Sequence, residues 1–412
     1  MKRLFFCVAA ALCMAFSVMG ADAGSRESRF MGVNGTELIT PDGDTFFMRG
    51  TNLGNWLNPE GYMFGFKKTN SPRFINEMLC QLVGEEKTAE FWKDFKDNYI
   101  TRADIEFIAS TGANTIRLPF HYKLFTDEDY MGLCSAQDGF ERVDSLISWC
   151  RDNGLYLILD MHDAPGGQTG DNIDDSFGYP WLFRSPDAQK KFCDIWERIA
   201  ARYADEPVVL GYELLNEPIA PYFKDVEELN GMLEPLYKKA VAAIRRSDPN
   251  HIVILGGAQW NGNFEPFTDW TFDDRLIYSC HRYGGDATRD AIASLIAFRD
   301  KSGRPMYMGE IGHNTDKWQN DFCNVMEQAG IGYLFWPYKK LEGSCMMAIN
   351  RPDGWDAIVT FSEADRSSYS AIRDARPDCA EAARALDNFI ENCRAQNTVP
   401  QKDYIHSMKL SE

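Results

Sequence analysis

Two stretches of this 412-residue chain end in a carboxylate where a buried strand would stay apolar. Residues 208–215 form a near-continuous apolar run, the pattern of a parallel strand covered on both faces. Glu213 interrupts the run, which leads directly into Asn216-Glu217-Pro218. Pro218 cannot donate to a sheet ladder and restricts the residue before it, so the strand is expected to stop with Glu217 at its mouth. The second stretch, Met306-Tyr307-Met308-Gly309-Glu310-Ile311-Gly312, places Glu310 at the end of another short strand. Two carboxylates remote in sequence, each at a strand end, can work on opposite sides of one glycosidic bond.

The surrounding chain supplies a frame for such a pair. Short β-runs flank the turn Pro41-Asp42-Gly43-Asp44 and predict a hairpin at 31–47 that closes the bottom of a barrel. Strands are expected at 46–52, 114–120, 155–162, 208–217, 251–256, 276–283, 305–312 and 332–338. Helical periodicity falls between most of them, at 87–111, 139–152, 187–203, 226–246, 286–301 and 318–328. Strands alternating with helices imply a parallel sheet, and eight of them in one domain imply a closed α/β (β/α)8 TIM barrel. The reading is one catalytic domain, residues 24–412, with a short N-terminal β-hairpin and terminal helices at about 364–394. The polar tail after Asn397 is expected to fray.

In such a barrel the active residues sit at the C-terminal strand ends and in the loops that follow. The second strand carries Arg117, the third ends at His162, and the fourth at Asn216 and Glu217. The sixth ends at His281-Arg282-Tyr283, the seventh carries Glu310 and the eighth Trp336. Taken singly, each has a plainer explanation: a helix cap, a structural histidine, a buried ion pair, a core tryptophan. Together they span six strands at one end of the barrel. Asp160 and Glu213 share the parity of the site but lie deeper, and are read as structural hydrogen-bonding groups.

With those residues in hand, Leu215-Asn216-Glu217-Pro218 resembles the signature of glycoside hydrolase family 5, the cellulase-type retaining β-glycosidases. The family's ordered functional set is matched residue by residue by Arg117, His162, Asn216, Glu217, His281, Tyr283, Glu310 and Trp336. The resemblance implies that Glu217 is the general acid and base, Glu310 the nucleophile, and the other six substrate-binding or carboxylate-tuning groups. It implies no cofactor. Residues 51–57 and 163–168 resemble the exo-β-1,3-glucanase subgroup, although Asp163 stands where that subgroup has a small residue. The expected activity is hydrolysis of a β-linked glucan or glucoside by double displacement, exo-acting on β-1,3/1,6-glucan. The alternatives are a β-mannanase, a cellulase or another glycan-trimming hydrolase of the family. A non-catalytic carbohydrate-binding barrel is disfavoured by retention of both carboxylates.

The resemblance implies a β-linked oligo- or polysaccharide as partner, and composition disfavours other classes. The net charge is −18, without a basic cluster beyond the first residues, which disfavours nucleic acid and anionic membranes. Lys2-Arg3, an apolar run over 4–19 and Ala21-Asp22-Ala23 read as a signal peptide, residues 1–23, giving a secreted, periplasmic or cell-surface protein. No other stretch is long enough for a membrane span. The remaining nine cysteines follow neither a disulfide framework nor a zinc pattern, and Cys150, Cys193 and Cys280 read as buried thiols. There is no H-E-x-x-H, and the acidic loop 171–175 lacks EF-hand spacing, so no metal is expected and the loop is read as solvated. Three long insertions, 54–68, 163–180 and 339–364, are placed to wall one side of the mouth. The catalytic-side loops are rich in aromatics (Trp56, Tyr62, Phe177, Tyr179, Trp181, Tyr222, Trp260, Phe264 and Trp270), over half of which are expected to pack the loops down.

Overall fold

The computed structural model describes residues 29–411; the expected signal segment lies outside them. Strands β1 (Gly32–Asn34), β2 (Glu37–Ile39) and β3 (Thr45–Phe46) form a small antiparallel sheet. Met31 and Leu38 from this region pack with Met48, Ile158, Leu210, Ile254, Ile277, Tyr307 and Leu334 at the floor of the barrel. The expected hairpin plug is therefore present, with one strand more.

The barrel comprises β4 (Arg49–Asn52), β5 (Thr115–His121), β6 (Tyr156–Asp163), β7 (Val209–Glu213), β8 (Ile252–Gly256), β9 (Leu276–His281), β10 (Met306–Gly312) and β11 (Gly332–Trp336). Each pairs in parallel with the next, and β11 returns to β4 to close the ring. This is the (β/α)8 TIM barrel expected from the alternation. Ala136–Asp152, Pro186–Tyr203, Val226–Ile244, Ala293–Ser302 and Asp316–Ala329 pack their apolar faces on its outside. The link from β8 to β9 instead makes a left-handed turn and packs Phe264 and Phe267 against the core.

Several boundaries differ from expectation, for local reasons. The long helix expected over 87–111 is two helices, Glu85–Asn98 and Arg102–Ser110, and Pro72–Val83 precedes them. The break comes at Thr101, whose backbone N–H and hydroxyl both donate to Asp104 Oδ2 at 2.8 Å, a capping box that starts a helix afresh. The fourth barrel strand ends at Glu213 rather than Glu217, because the chain turns off the ladder and Glu217 takes a left-handed φ of 45°. The terminal helices are Trp355–Glu363, Tyr369–Ala375 and Cys379–Cys393, so they start earlier than expected.

The tail does not fray. β14 (Val399–Pro400) joins β12 (Lys339–Leu341) and β13 (Met347–Ile349) in a three-stranded sheet. Helix Lys402–Ser407 then buries Tyr404 and Ile405, followed by buried Met408 and Leu410.

The acidic loop is only partly solvated: Asn172 is exposed and Asp171 half-buried, but Asp174 turns inward. Buried Asp174 accepts from the backbone of Thr169, Gly170 and Ser176. Asp163 accepts from Asp175 N at 2.6 Å and, with Asp175, from His121 Nε2. Asp163, the departure from the subgroup pattern, thus pins this loop to β5. Cys150 and Cys280 are buried, whereas Cys193 is only half-buried; all nine cysteines of the described residues are free. Of the nine loop aromatics, Trp56 and Phe264 are buried, but Tyr62, Phe177, Trp181, Tyr222 and Trp260 stay exposed, fewer packed down than expected.

Candidate active site

All eight expected residues converge at the C-terminal end of the barrel. Arg117, fully buried on β5, is the hub. Its Nε donates to Glu213 Oε2 at 2.8 Å, and Nη2 to Glu213 Oε1 and to Asn216 Oδ1. Its Nη1 donates to Asn52 Oδ1 and to Glu310 Oε1, the latter at 2.8 Å. Asp160 lies 3.0 Å from Nη2. Three carboxylates around one guanidinium satisfy a charge that burial alone would make costly. Asp160 and Glu213 are thus partners of Arg117, as their deeper positions suggested, and Tyr307 donates its hydroxyl to Glu213.

Glu310 receives a second donor, the Tyr283 hydroxyl, at 2.5 Å on Oε2. Both donors stabilise negative charge on this carboxylate. Glu217 has different surroundings: its only side-chain hydrogen-bond partner among the described residues is His281 Nδ1, at 2.8 Å from Oε1. Burial, then the nearby charge of Glu310, pushes the Glu217 carboxyl well above the usual carboxylate range. His281 is held neutral, its basicity lowered by burial and then by the positive charge of Arg117. Asn261 Nδ2 donates to its Nε2 at 3.1 Å, so the ring proton sits on Nδ1, facing Glu217. Gly309 permits this arrangement, since a Cβ there would lie 3.0 Å from His281 Nε2.

Arg117 also fixes Asn216. With Oδ1 taken by the guanidinium, Nδ2 faces His162 Nε2 at 3.3 Å, and His162 Nδ1 donates to Asp160 at 2.8 Å. The His162 ring lies parallel to Trp336, centroids 5.2 Å apart. Trp336 Nε1 donates to the Tyr62 hydroxyl at 2.5 Å. Gln168 bonds the backbone carbonyls of His162 and Asn216, tying the ends of β6 and β7 together.

A cavity of about 360 Å³ opens over this floor, near the small end of the range of about 300–1,000 Å³ usual for ligand pockets. Glu217, Glu310, Asn216, His162 and Trp336 line it, and each expected insertion adds to the wall: Glu60 and Tyr62 from the first, Ile173 from the second, Lys340 from the third. Glu60 is a third carboxylate that the strand-end pattern did not reveal. It is 6% exposed, its Oε1 lacks a hydrogen-bond partner, and burial raises it above the usual range. Asn52, Asn261 and His313 also escaped the sequence reading. Asn52 sits at a strand end and so carried a usable signal; the others lie on loops.

One oxygen of Glu217, one of Glu310 and a ring nitrogen of His281 all lie within 4.8 Å of one another. That spacing suits a retaining pair, whose carboxyl groups stand about 5–5.5 Å apart. The only other cluster of comparable closeness among the described residues is His121, Asp163 and Asp175. There His121 Nδ1 accepts from Lys123 N, so Nε2 carries a proton and acts as a donor rather than a metal ligand.

Comparison with known proteins points the same way. The chain is 34% identical over 259 residues to a β-xylosidase of Phanerodontia chrysosporium, covering 62% of this chain and 52% of that one, so it spans about half that relative's length. It is 29% identical to endoglucanase C of Acetivibrio thermocellus, covering 61% of this chain and 88% of the relative. A probable glucan 1,3-β-glucosidase A of Aspergillus niger is 26% identical over 69% of this chain and 70% of its own. A crystal structure of an endogalactoceramidase, 22% identical, shares the fold with a TM-score of 0.57, covering 76% of this chain and 75% of the other. The sequence model of the family described as Cellulase (glycosyl hydrolase family 5) matches residues 76–341, well over half of the chain. With that match behind the geometry, this chain belongs to glycosyl hydrolase family 5.

Proposed function

We propose that the protein is an exported retaining β-glucosidase that removes glucosyl units from the end of a β-linked glucan, with β-1,3/1,6-glucan as the expected polymer. The observation that carries this reading is the cavity of about 360 Å³ that holds both carboxylates and is walled by residues from all three insertions. A chain end needs one open side, whereas a chain crossing the site needs two. Buried Glu60, whose Oε1 lies 3.7 Å from His162 Nε2, faces the cavity beside a terminal sugar's hydroxyls, and likeness to a probable glucan 1,3-β-glucosidase supports the linkage. Residues 1–23 have the order of a cleaved export signal, and residues 24–412 act as one catalytic unit.

Glu310 attacks the anomeric carbon and forms an ester as the glycosidic C–O bond breaks, while Glu217 gives its proton to the departing oxygen. With the Glu310 charge consumed, one cause of the raised Glu217 titration is gone, and Glu217 stays the carboxylate that proton donation has made it. It then takes a proton from water as the water oxygen attacks the same carbon and Glu310 leaves as a carboxylate. Asn216 hydrogen-bonds the sugar's 2-hydroxyl, and His162 with Trp336 forms the floor. Protein purified from culture medium should begin near Gly24 by mass. On a soluble linear β-1,3-glucan it should release glucose or one short product from the outset while viscosity falls slowly. An early ladder of oligosaccharides with rapid viscosity loss would refute the exo reading.

A further inference from the structure

The backbone that carries Glu217 is strained. Glu217 and Ile219, on either side of Pro218, have φ of 45° and 60°. Residues with a Cβ hold that left-handed conformation only where their surroundings over-determine it. Here the surroundings are two residues of the loop after β6. Gln168 Nε2 donates to Asn216 O at 2.9 Å, and the Thr169 hydroxyl donates to Glu217 O at 2.8 Å. Ile219 N donates to Gln168 O, and Ala220 N to Thr169 O. The turn at 216–220 is thus bonded to residues 168 and 169 along its length.

Those two residues are held in their turn. Thr169 N and Gly170 N donate to Asp174 Oδ2 at 2.7 and 3.1 Å, tying the start of the loop to its far side. The far side is fastened at the next residue. Asp175 N donates to Asp163 Oδ2 at 2.6 Å, and Asp175 Oδ1 accepts from Arg73 N at 2.8 Å. Asp175 Oδ2 and Asp163 Oδ2 then converge on His121 Nε2, at 3.1 and 3.2 Å. His121 is fully buried at the end of β5, with the rings of Tyr122 and Tyr130 stacked on it at 4.8 and 4.4 Å. Its Nδ1 is taken by Lys123 N, so its ring proton lies between the two carboxylates.

His121, Asp163 and Thr169 stand outside the cavity that holds the two catalytic carboxylates. Asp163 keeps Oδ1 buried without a hydrogen-bond partner among the described residues. That is an unfavourable arrangement, which a small residue at this position would avoid. Glu310 is fixed separately, by Arg117 and Tyr283.

We propose that His121, Asp163 and Thr169 are positioning residues for proton transfer: acting through Asp175 and Asp174, they lock the turn at Glu217 and aim its carboxyl at the departing oxygen. The inference rests on the reading of Glu217 as the proton donor, and adds side chains that touch neither the substrate nor that carboxyl. A general acid must stand within hydrogen-bond reach of the oxygen it protonates, and a displacement of about 1 Å can lower the rate about 10²-fold. Loosening the turn therefore weakens proton donation and spares attack by Glu310.

The test compares two substrates that share the glucosyl unit. β-1,3-linked glucobiose needs a proton on its leaving oxygen, whereas β-glucosyl fluoride releases an ion and needs none. In the exported enzyme, Thr169→Val should lower the ratio of glucobiose to fluoride kcat/KM by about 10-fold or more. Thr169→Ser, which keeps the hydroxyl, should hold the ratio within about twofold of wild type. His121→Asn and Asp163→Ala break the same link from its two sides, and each should lower the ratio as well. Fluoride turnover reports that a variant is folded, so either of these two suffices where the other does not fold. An unchanged ratio, or an equal fall on both substrates, overturns the role of the residue substituted and leaves the glucosidase reading intact. So does a Thr169→Ser enzyme as impaired as Thr169→Val. A wild-type protein inert to both substrates overturns the glucosidase reading, and the positioning role with it.

Discussion

Glu217 and Glu310 differ in what touches them more than in where they sit. Glu310 has a guanidinium and a phenol donating to its two oxygens, while Glu217 has one neutral imidazole. Burial, together with the charge of Glu310, keeps the proton on Glu217. Its protonated form is complete below the raised titration and lost above it, so kcat/KM for a natural glucoside should fall on the alkaline side, beyond the usual carboxylate range. That limb belongs to the coupled pair rather than to one residue. β-Glucosyl fluoride, whose departure needs no proton, should lack it. Glu217→Ala should lose about 10²–10⁴-fold on natural glucosides, keep fluoride turnover and yield a β-glucosyl azide with azide. An identical limb on both substrates, or the same azide product from Glu310→Ala, would reverse the assignment. Arg117, His162, His281, Glu310 and Trp336 could be read from sequence because strand parity and chain direction fix where they point. Asn216, Glu217 and Tyr283 lie just past their strands and were legible only through the Leu215–Pro218 motif and the order of the set. Glu60 and Asn261 could not, since they lie in a loop and a left-handed turn to which no period applies.

Among the elements, the loop after β11 carries the least expected anchor. Lys339 is fully buried and ion-pairs with Asp104, and its ammonium also donates to Tyr99 O at 2.8 Å and Cys393 O at 2.9 Å. One side chain thereby joins β12, the helices after β4 and helix Cys379–Cys393. Asp104 is in turn the carboxylate of the capping box at Thr101 and accepts from Tyr338. Removing one member of a buried pair strands the other, at a cost of about 3–5 kcal/mol. Lys339→Met should lower unfolding stability by that amount in a denaturant titration, and adding Asp104→Asn should recover part of it. A single variant as stable as wild type would show that the pair does not hold these elements together. Sequence periodicity missed the helix break because Phe91, Phe95, Ile105 and Ile108 keep one apolar face across it, and only the Thr101–Asp104 spacing marks the restart.

For the whole molecule, the alternation of eight apolar runs with amphipathic segments was enough to give the barrel and its plug. The tail was misjudged on its polar composition. Gln401, Lys402 and Asp403 face outward, but Tyr404, Ile405 and Met408 have helical spacing and are buried with Leu410. Each large apolar side chain buried in this way contributes about 1.5–3 kcal/mol. Deleting residues 398–412 should therefore lower the melting temperature and activity together. A truncated protein with wild-type melting and turnover would show the docking to be incidental.

The same tail reaches the active site. The Tyr404 hydroxyl donates to the backbone carbonyl of Trp336, 68 positions earlier, at 3.2 Å, and Ser411 N donates to Thr111 O. While the chain is being synthesised, Glu217 and Glu310 emerge well before the segment that backs the floor of the cavity at Trp336. The order of emergence thus becomes an order of assembly: the carboxylates are made early, and the pocket that turns them on a glycan is braced only once residues near 404–411 are free to dock.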